Sequence, residues 1–382
     1  MLLKLSVSRT RLAETVNHVM KAVSSRTTIP ILTGIKIVAT SDGLTLTGSD
    51  SDVSIQAYIP VEENETEYVN IEKTGSVVLP ARYFADIVKK LPEDTVDIEV
   101  DNRLITRLVS GNSEFSLNGL DAQEYPRLPI IRDDMTTPIR IDLLKHVIRQ
   151  TVFAVSTSET RPIFTGVHWN IQNGKLSCVA TDSLRLAERT IAFETESTDN
   201  VTDIVIPGRS LNELSKILDD NRENWVDLIV TENQVLFKTK YIRFYSRLLE
   251  GNYPDTKALI PNNVKTEIIV DTKRFLHAID RASLLARDER NNVIKVKTLE
   301  NNQLEIVSQS LEIGRVNEQV PAKLIEGEEM RISFNAKFMM DALSRVDAEE
   351  IKLIFTGAMK PLLIKPVGDE GLLMLILPIR TN

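Results

Sequence analysis

The chain has 382 residues, of which 42% are hydrophobic and 26% charged, enough for two or three domains that each bury a core. Its net charge of −8 differs from the basic balance typical of nucleic-acid binders. A single cysteine, Cys178, excludes an intrachain disulfide, and no apolar run is long enough to span a membrane, so we expect a soluble, cytoplasmic protein.

Three segments along the chain begin alike, with a short alternating run followed by an amphipathic helix. They start at Leu5 (LSVSRTRLAETVNHVMKAV), Ile139 (IRIDLLKHVIRQTVFAV) and Ile268 (IIVDTKRFLHAIDRASLLA). The first two continue almost in register through RTTIPILTGIKI and ETRPIFTGVHW, where Gly34 and Gly166 mark the match. The chain therefore contains an internal repeat.

A second set of three related segments lies about 65 to 75 residues further along each repeat. The segments read VLPARYFADIVKKLPED, VIPGRSLNELSKILDDN and SFNAKFMMDALSRVDAEE. Arg82, Arg209 and Lys337 occupy one column of this alignment, at spacings of 127 and 128 residues. Each repeat thus consists of two half-units, and each half-unit has a strand, a helix and further strands.

Three copies of about 125 residues predict three similar domains, with boundaries near 130 and 262. We assign the domains to residues 1–130, 131–262 and 263–382. Between the predicted helices lie alternating runs such as GLTLTGSDSDVSIQAYI, so each helix can cover one face of an antiparallel sheet. The expected fold class is α+β, with each domain made of two half-units of helix on antiparallel sheet.

The charges are segregated between the helices and the rest of the chain. The predicted helices (residues 9–23, 82–91, 142–155, 208–219, 272–287 and 336–346) carry 16 basic and 7 acidic residues, a net +9, which leaves −17 elsewhere. Such helices would attract phosphates without reading bases, although Lys and Arg are also ordinary helix formers on solvated faces. The candidate DNA-contacting residues are Arg11, Lys21, Lys89, Lys90, Lys145, Arg149, Lys216, Lys273, Arg281, Lys337 and Arg345.

No motif for catalysis or for cofactor binding stands out. The sequence lacks the G-x-x-x-x-G-K-[ST] phosphate loop, and its four histidines are scattered without metal-ligand spacing. Asp50 and Asp52 in SDSDVS are the best metal candidates, but Ile55 and Val61 stand where a calcium loop needs Gly and Glu. We therefore expect no cofactor, no metal and no enzymatic activity.

In the order and spacing of its motifs the chain resembles the bacterial DNA polymerase III beta subunit family, the replicative sliding clamps. The resemblance covers essentially the whole chain. It is carried by SSRTTIPILTG, FSLNGLDAQEYPRLP, RQTVFAVSTSETRPIFTG, VATDSLRLA, LLEGNYPDT and the terminal LILPIRTN. No single stretch identifies the family, but all of them together, in this order and at these spacings, do.

The resemblance implies a function and a set of partners. It implies a head-to-tail homodimer that closes into a ring around duplex DNA, with the helices inside and the sheets outside. Such a ring tethers a polymerase of the DNA polymerase III alpha type and confers processivity. Because the chain carries no recognisable ATPase motif, a separate ATP-driven clamp loader is expected to open the ring. Arg26 matches a DNA-contacting position of the family.

The resemblance also implies a hydrophobic cleft between the second and third domains. In the family, this cleft accepts a short peptide from polymerases, the clamp loader, repair proteins and translesion polymerases. Leu184 stands where some relatives have His. The matching positions are Phe164, Thr181, Ser183, Leu184, Arg185, Leu186, Pro254, Leu259, Ile376, Leu377, Pro378, Ile379 and Arg380.

Two other classes of function remain open at this point. One is an enzyme with an unrecognised site in a domain cleft, which requires a cluster of titratable groups with shifted pKa values. The other is a structural repeat protein that forms open filaments instead of a closed ring.

Overall fold

The computed structural model describes residues 2–24, 27–129, 131, 136–192, 202–218, 223–261, 263–286, 292–310 and 312–380. The contacts of the chain divide it into two compact units. Unit 1 consists of Met1–Asp142 and Glu213–Leu248, and unit 2 of Leu143–Asn212 and Leu249–Asn382. The domain boundaries at 130 and 262 remain a prediction.

The elements of residues 1–130 follow the order expected from the sequence. They are β1 Leu3–Ser8, α1 Arg9–Val19, β2 Gly34–Thr40, β3 Gly43–Ser49, β4 Val53–Pro60, β5 Glu62–Glu63, β6 Thr66–Glu67, β7 Val69–Lys73, β8 Gly75–Pro80, α2 Ala81–Lys90, β9 Thr95–Val100, β10 Ile105–Ser110 and β11 Ser113–Asn118.

The second and third repeats follow the same plan. The second has β12 Thr137–Arg140, α3 Ile141–Thr151, β13 Gly166–Gln172, β14 Lys175–Thr181, β15 Arg185–Ala192, β16 Thr202–Pro207, α4 Gly208–Ile217, β17 Trp225–Val230, β18 Gln234–Lys238 and β19 Ile242–Arg247. The third has β20 Thr266–Asp271, α5 Thr272–Ser283, β21 Val293–Leu299, β22 Gln303–Ser310, β23 Gly314–Pro321, β24 Leu324–Gly327, β25 Arg331–Asn335, α6 Ala336–Leu343, β26 Glu350–Phe355, β27 Leu362–Pro366 and β28 Leu372–Ile376.

Unit 1 contains a five-stranded and an eight-stranded antiparallel sheet, besides the short pair β5–β6. The five-stranded order is β11-β10-β9-β1-β7, and the eight-stranded order is β12-β17-β18-β19-β4-β3-β2-β8. The larger sheet combines strands of the first and second repeats, which meet where β4 pairs with β19. We call this pairing the first junction.

Unit 2 contains a nine-stranded and a four-stranded antiparallel sheet. The nine-stranded order is β16-β13-β14-β15-β28-β27-β26-β20-β24, and the four-stranded order is β23-β22-β21-β25. The second and third repeats meet where β15 pairs with β28, with Arg185 opposite Ile376. This second junction has the same antiparallel arrangement as the first. The prediction of an α+β fold with antiparallel sheets is confirmed.

The helices cover the sheets with the faces that the 3.6-residue period predicts. Leu12, Val16 and Val19 of α1 are buried, and α1 packs on β3 and β4. Leu211 and Leu214 of α4 are buried as well. Most of the basic residues of the helices are exposed, so the fold itself presents them to solvent.

The glycine that marks the repeat has a steric role. Gly34 pairs with Pro80 and Gly166 pairs with Pro207, the last residue of the strand before the next helix. A Cβ atom on Gly34 would lie 2.5 Å from Val78 Cγ1, and one on Gly166 would lie 2.6 Å from Val205 Cγ1. Both positions need Gly because the neighbouring strand approaches too closely for any side chain.

Candidate functional site

The predicted DNA-contacting residues lie on the helices or in the turns that end them. Most are exposed, whereas Arg11, Lys21, Lys145 and Arg345 are half-buried. Arg26 lies outside the described residues. The exposed ones are Lys89, Lys90, Arg149, Lys216, Lys273, Arg281 and Lys337.

Ion pairs separate nine of the described candidates into two groups. The paired group consists of Arg11 with Glu14 and Glu63, Arg149 with Asp347, Lys216 with Glu213, and Arg281 with Glu318. Among the described candidates, five lysines form no ion pair and present an uncompensated charge. These five are Lys21, Lys89, Lys90, Lys273 and Lys337.

Arg82, Arg209 and Lys337, which align with one another in the three repeats, occupy equivalent positions in the structure. Each is the second residue of its helix, α2, α4 or α6, and each is exposed. A cation in the first helical turn is disfavoured by the helix dipole, so local helix stability does not explain the column. Arg82 and Arg209 belong with the candidate DNA contacts, although the charge count alone did not single them out.

The predicted peptide cleft is built around a tight turn between β14 and β15. Ser183 has a positive φ of 75°, and the carboxylate of Asp182 accepts hydrogen bonds from the backbone N–H groups of Leu184 and Arg185 at 2.9 and 3.0 Å. Thr181 Oγ1 donates to the carbonyl of Arg185 at 2.6 Å. These bonds hold the turn so that the Leu184 side chain is 53% exposed.

The C-terminal segment closes one side of this turn. The N–H of Leu377 donates to the carbonyl of Leu184 at 2.9 Å, and the N–H of Ile379 donates to the carbonyl of Ser333 at 2.7 Å. Ile376 is buried in the sheet, whereas Leu377, Pro378 and Ile379 are half-buried and Arg380 is exposed. Leu259, in the segment between the second and third repeats, is 52% exposed.

An apolar cluster forms the floor of this region. It contains Val179, Leu186, Ile354, Leu363 and Leu375, against which Tyr253, Ile260, Leu373 and Leu377 pack. Exposed Leu184 is joined to this cluster through the hydrogen bond from Leu377, and exposed Leu259 precedes Ile260 of the cluster in the chain. Exposed apolar side chains next to a buried apolar cluster suit the apolar anchors of a peptide.

Arg185 is turned away from solvent. Its Nε donates to Asp182 at 3.0 Å and its Nη1 to Asp341 at 2.7 Å. The guanidinium also lies over the rings of Phe338 and Phe153, at 4.5 and 5.5 Å from their centroids. Arg185 thus fixes the turn from behind, and exposed Arg380 is the arginine available at the rim.

Two residues that the sequence did not single out shape the cleft. Tyr253 accepts a hydrogen bond from the N–H of Thr181 at 3.1 Å and meets Phe164 edge to face at 5.9 Å. His168 stacks on Tyr253 with ring centroids 5.0 Å apart, and its Nε2 contacts Asp203 at 2.7 Å. Burial raises the pKa of Tyr253 above its ordinary value, so its hydroxyl stays protonated. The YP dipeptide shared by the ends of the first two repeats was the available signal.

Asp50, one of the two residues considered for metal binding, has a structural role. Asp50 Oδ1 accepts hydrogen bonds from the N–H groups of Asp52 and Val53, so it caps the turn before β4. The described ranges contain no group of three or more potential metal ligands. Cys178 is buried, which raises the pKa of its thiol well above the ordinary value. None of the described helices is long and apolar enough to cross a membrane.

Comparison with protein-family models gives three matches, which together span most of the chain. Residues 3–129 match the N-terminal domain of the DNA polymerase III beta subunit, residues 138–255 its central domain and residues 257–380 its C-terminal domain.

Individual relatives are similar over their full length. The chain is 58% identical to the beta sliding clamp of Bacillus subtilis over 379 residues, which are 99% of this chain and 100% of the relative. It is 49% identical to the beta sliding clamp of Staphylococcus aureus over 380 residues, covering 100% of both.

Two crystal structures have nearly the same fold. The DNA polymerase sliding clamp of Bacillus subtilis matches with a TM-score of 0.97 at 58% identity, and both chains are covered completely. The beta chain of DNA polymerase III from Streptococcus pneumoniae matches with a TM-score of 0.95 at 35% identity, again with complete coverage.

Proposed function

The chain belongs to the DNA polymerase III beta subunit family, and on that premise we propose that it is a sliding clamp that encircles duplex DNA and tethers the replicative polymerase. It has the three-domain α+β clamp fold of that family. It acts as a processivity factor and leaves catalysis to its partners. A replicative clamp works on the chromosome, so we propose a cytoplasmic location. We also propose that the three domains comprise residues 1–130, 131–262 and 263–382.

The observation that carries the proposal is the way in which the sheets continue from one repeat to the next. In the first, second and third repeats, the third strand after the first helix is β4, β15 and β23, respectively. The third strand after the second helix is β11, β19 and β28, respectively. At the first junction β4 pairs with β19, and at the second β15 pairs with β28. The remaining members, β11 and β23, are edge strands of their sheets.

A second copy of the chain can satisfy both edges. If β11 of one copy pairs with β23 of the other, the third junction repeats the geometry of the first two, and two such contacts close a head-to-tail ring. Both edges carry an exposed large hydrophobic residue, Phe115 on β11 and Ile313 immediately before β23. Unpaired, apolar edge strands invite association, which the homodimer would use.

The electrostatics support contact with DNA that is independent of sequence. The five unpaired lysines and exposed Arg82 lie on helices or in the turns that end them. Long flexible ammonium groups attract phosphates without reading base edges. We propose that these residues, with Arg26 and the ion-paired candidates, line the passage for DNA.

The cleft beside Leu184 would recruit the partners. We propose that it binds a short peptide carried by a polymerase of the DNA polymerase III alpha type, by the ATP-driven clamp loader, and by repair and translesion polymerases. Leu184, Leu259 and Leu377 would contact the apolar anchors of the peptide, and Arg380 would contact its polar part. Removing Pro378 to Asn382 should abolish peptide binding and leave the dimer intact.

Retention of the protein on circular and on linear DNA tests the proposed function. The protein is loaded with its cognate loader and ATP onto circular plasmid and onto the same plasmid made linear. A topological link predicts long retention on circles and rapid loss from free ends. The variant Phe115→Asp should prevent ring closure, so it should be retained on neither the circular nor the linear DNA. Equal retention on circular and linear DNA would mean ordinary surface binding and would overturn the ring proposal.

A further inference from the structure

Strand β7 is an edge of the five-stranded sheet in unit 1, and a groove of about 490 Å³ runs along it. All five residues of Val69–Lys73 line this groove, together with Val61, Glu67 and Ser41 of the β2–β3 turn. Consecutive side chains of a strand alternate between its two faces, so a groove lined by all five lies along the open edge of β7. Its volume is in the range of ligand-binding clefts.

Three other edge strands of the molecule, β8, β16 and β25, are covered by the chain itself. In each case a residue that follows the last strand of the same repeat forms a backbone hydrogen bond with the edge. These pairs are Leu120 with Val78, Leu249 with Val205, and Ile379 with Ser333. Such a cover keeps an edge from pairing with other chains.

Only the beginning of β7 has a comparable cover, because the N–H of Val69 donates to the carbonyl of Val61 at 3.2 Å. The N–H of Ser8 in β1 donates to the carbonyl of Tyr68 at 2.8 Å, so Tyr68 and the second residue after it direct their peptide groups at β1. Ile71 therefore directs its N–H and its carbonyl into the groove. Among the described residues, no other segment forms a backbone hydrogen bond with these two groups.

The segment that forms and borders this edge is acidic. Residues 61–74 contain five glutamates and one lysine, a net charge of −4. Glu72 is paired with Lys4, whereas Glu62, Glu65 and Glu67 are exposed and form no ion pair among the described residues. These uncompensated carboxylates repel a polyanion such as DNA and attract a cationic chain.

We propose that β7 accepts an extended, basic segment of a partner protein as an additional strand. The peptide groups of Ile71 exchange hydrogen bonds with the segment, and Glu67 contacts a Lys or Arg side chain of it. Like charges placed opposite each other are destabilising, so the same glutamates disfavour pairing of this edge with a second copy of itself. The chemistry differs from that of the turn at Leu184, which offers apolar contacts, and the inference does not depend on the clamp function.

The peptide acetyl-Thr-Lys-Val-Arg-Val-Lys-Thr-amide is a suitable probe, because it is basic and its β-branched residues favour an extended chain. Calorimetric titration of the full chain should give a dissociation constant of about 0.1 mM, since a short segment loses conformational freedom on binding. An acidic peptide with Glu in place of each Lys and Arg should bind at least about tenfold more weakly. Equal binding of the two peptides, or no binding of the basic one up to about 2 mM, would refute the proposal.

A backbone-modified peptide separates strand addition from attraction by charge alone. Methylation of the backbone nitrogens of the five central residues removes their N–H donors and keeps every charge. The carbonyl of Ile71 then has no donor to accept from, and the methyl groups obstruct pairing, so this peptide should bind at least about tenfold more weakly than its parent. Unchanged affinity would show that no strand is added and would overturn the proposed mode of binding.

Variants place the peptide in the groove. Glu67→Lys reverses an uncompensated charge of the lining and should weaken binding about tenfold, whereas Glu124→Lys makes the same change at another exposed glutamate of unit 1 and should alter it less than about twofold. Ser41→Trp should obstruct the groove from an exposed turn and abolish binding, whereas Asn112→Trp, in the exposed turn between β10 and β11, should have no effect. Unchanged affinity in both Glu67→Lys and Ser41→Trp, with the chain folded, would place the peptide elsewhere and reject the site.

Discussion

Arg185 of β15 and Asp341 of α6 form an ion pair in which Nη1 and Oδ2 are 2.7 Å apart. The Arg185 side chain is only 12% exposed and also binds Asp182. It therefore connects the turn that carries Leu184 to a helix whose second residue, Lys337, is a candidate DNA contact. The turn proposed to bind peptides and a helix proposed to face DNA thus share one buried guanidinium.

Replacing Arg185 with Ala should destabilise the protein strongly. The change leaves Asp182 and Asp341 without their partner and removes the contacts with Phe338 and Phe153, so we expect a loss of about 3 kcal/mol in the free energy of unfolding. Urea denaturation measures it. Lys216→Ala, which removes an exposed pair with Glu213, should cost no more than about 0.5 kcal/mol. Similar losses in both variants would show that Arg185 is not structural.

The close approach at Gly34 gives a second prediction. Gly34→Ala should lower the free energy of unfolding by about 1–3 kcal/mol, because the new Cβ would overlap Val78 Cγ1. Val78→Ala should make room for it. In a double-mutant cycle, Gly34→Ala should therefore cost less in the Val78→Ala background. Additive costs would show that the valine methyl group is not the obstacle.

Features that depend on local spacing could be predicted from the sequence. The six helices, their buried faces and the column of Arg82, Arg209 and Lys337 follow from periodicity and from alignment of the repeats, and the structure confirms them. The glycine shared by the first two repeats was visible too, because the close approach of a neighbouring side chain favours the same residue type in both copies.

Long-range pairing accounts for what the sequence could not reveal. Arg185 looked like an accessible site residue, but its partner Asp341 lies 156 positions away and turns it inward. Arg149 looked like a free basic residue, but Asp347, 198 positions away, neutralises it. Neither distance leaves a periodic signal in the chain. The stacking of His168 on Tyr253 was missed for the same reason.

His146 should make stability depend on pH near neutrality. Burial, and then the charge of Arg189, lowers its pKa below the ordinary 6.5. The unfolded chain then binds the proton more readily, so stability is complete above about pH 6.5 and falls as the pH drops through that value. Thermal melts at pH 7.5 and 5.5 should show this loss, and His146→Gln should reduce it. An unchanged difference in the variant would exclude His146 as its source.

The division of the basic residues predicts unequal effects on DNA binding. In the double variant Lys89→Ala and Lys90→Ala, affinity for a duplex should fall, and the slope of log affinity against log salt should decrease by about one for each lost phosphate contact. Lys216→Ala should change the slope less, because Glu213 already compensates that charge. Fluorescence anisotropy of a labelled duplex at several salt concentrations measures both. Equal changes in slope would remove the distinction between paired and unpaired cations.

The turns before β4 and β15 show which substitution in the cleft is safe for folding. Ser51 and Ser183 both have positive φ, of 81° and 75°. Asp52 in the first turn is equivalent to Leu184 in the second. The carbonyl of Asp52 accepts a hydrogen bond from the N–H of Arg247 at 2.9 Å, and the carbonyl of Leu184 accepts one from the N–H of Leu377 in the same way. An aspartate is therefore compatible with this backbone, so Leu184→Asp should fold normally.

Leu184→Asp should nevertheless bind partner peptides poorly. It replaces an exposed apolar contact with a charge that must be desolvated, so we expect a loss of about 2 kcal/mol, or about thirtyfold in affinity. Fluorescence polarisation of a labelled polymerase-derived peptide measures it. Val367→Asp makes a comparable change in the turn after β27 and should have no effect. Undiminished affinity in Leu184→Asp, with normal folding, would mean that the peptide binds away from this turn.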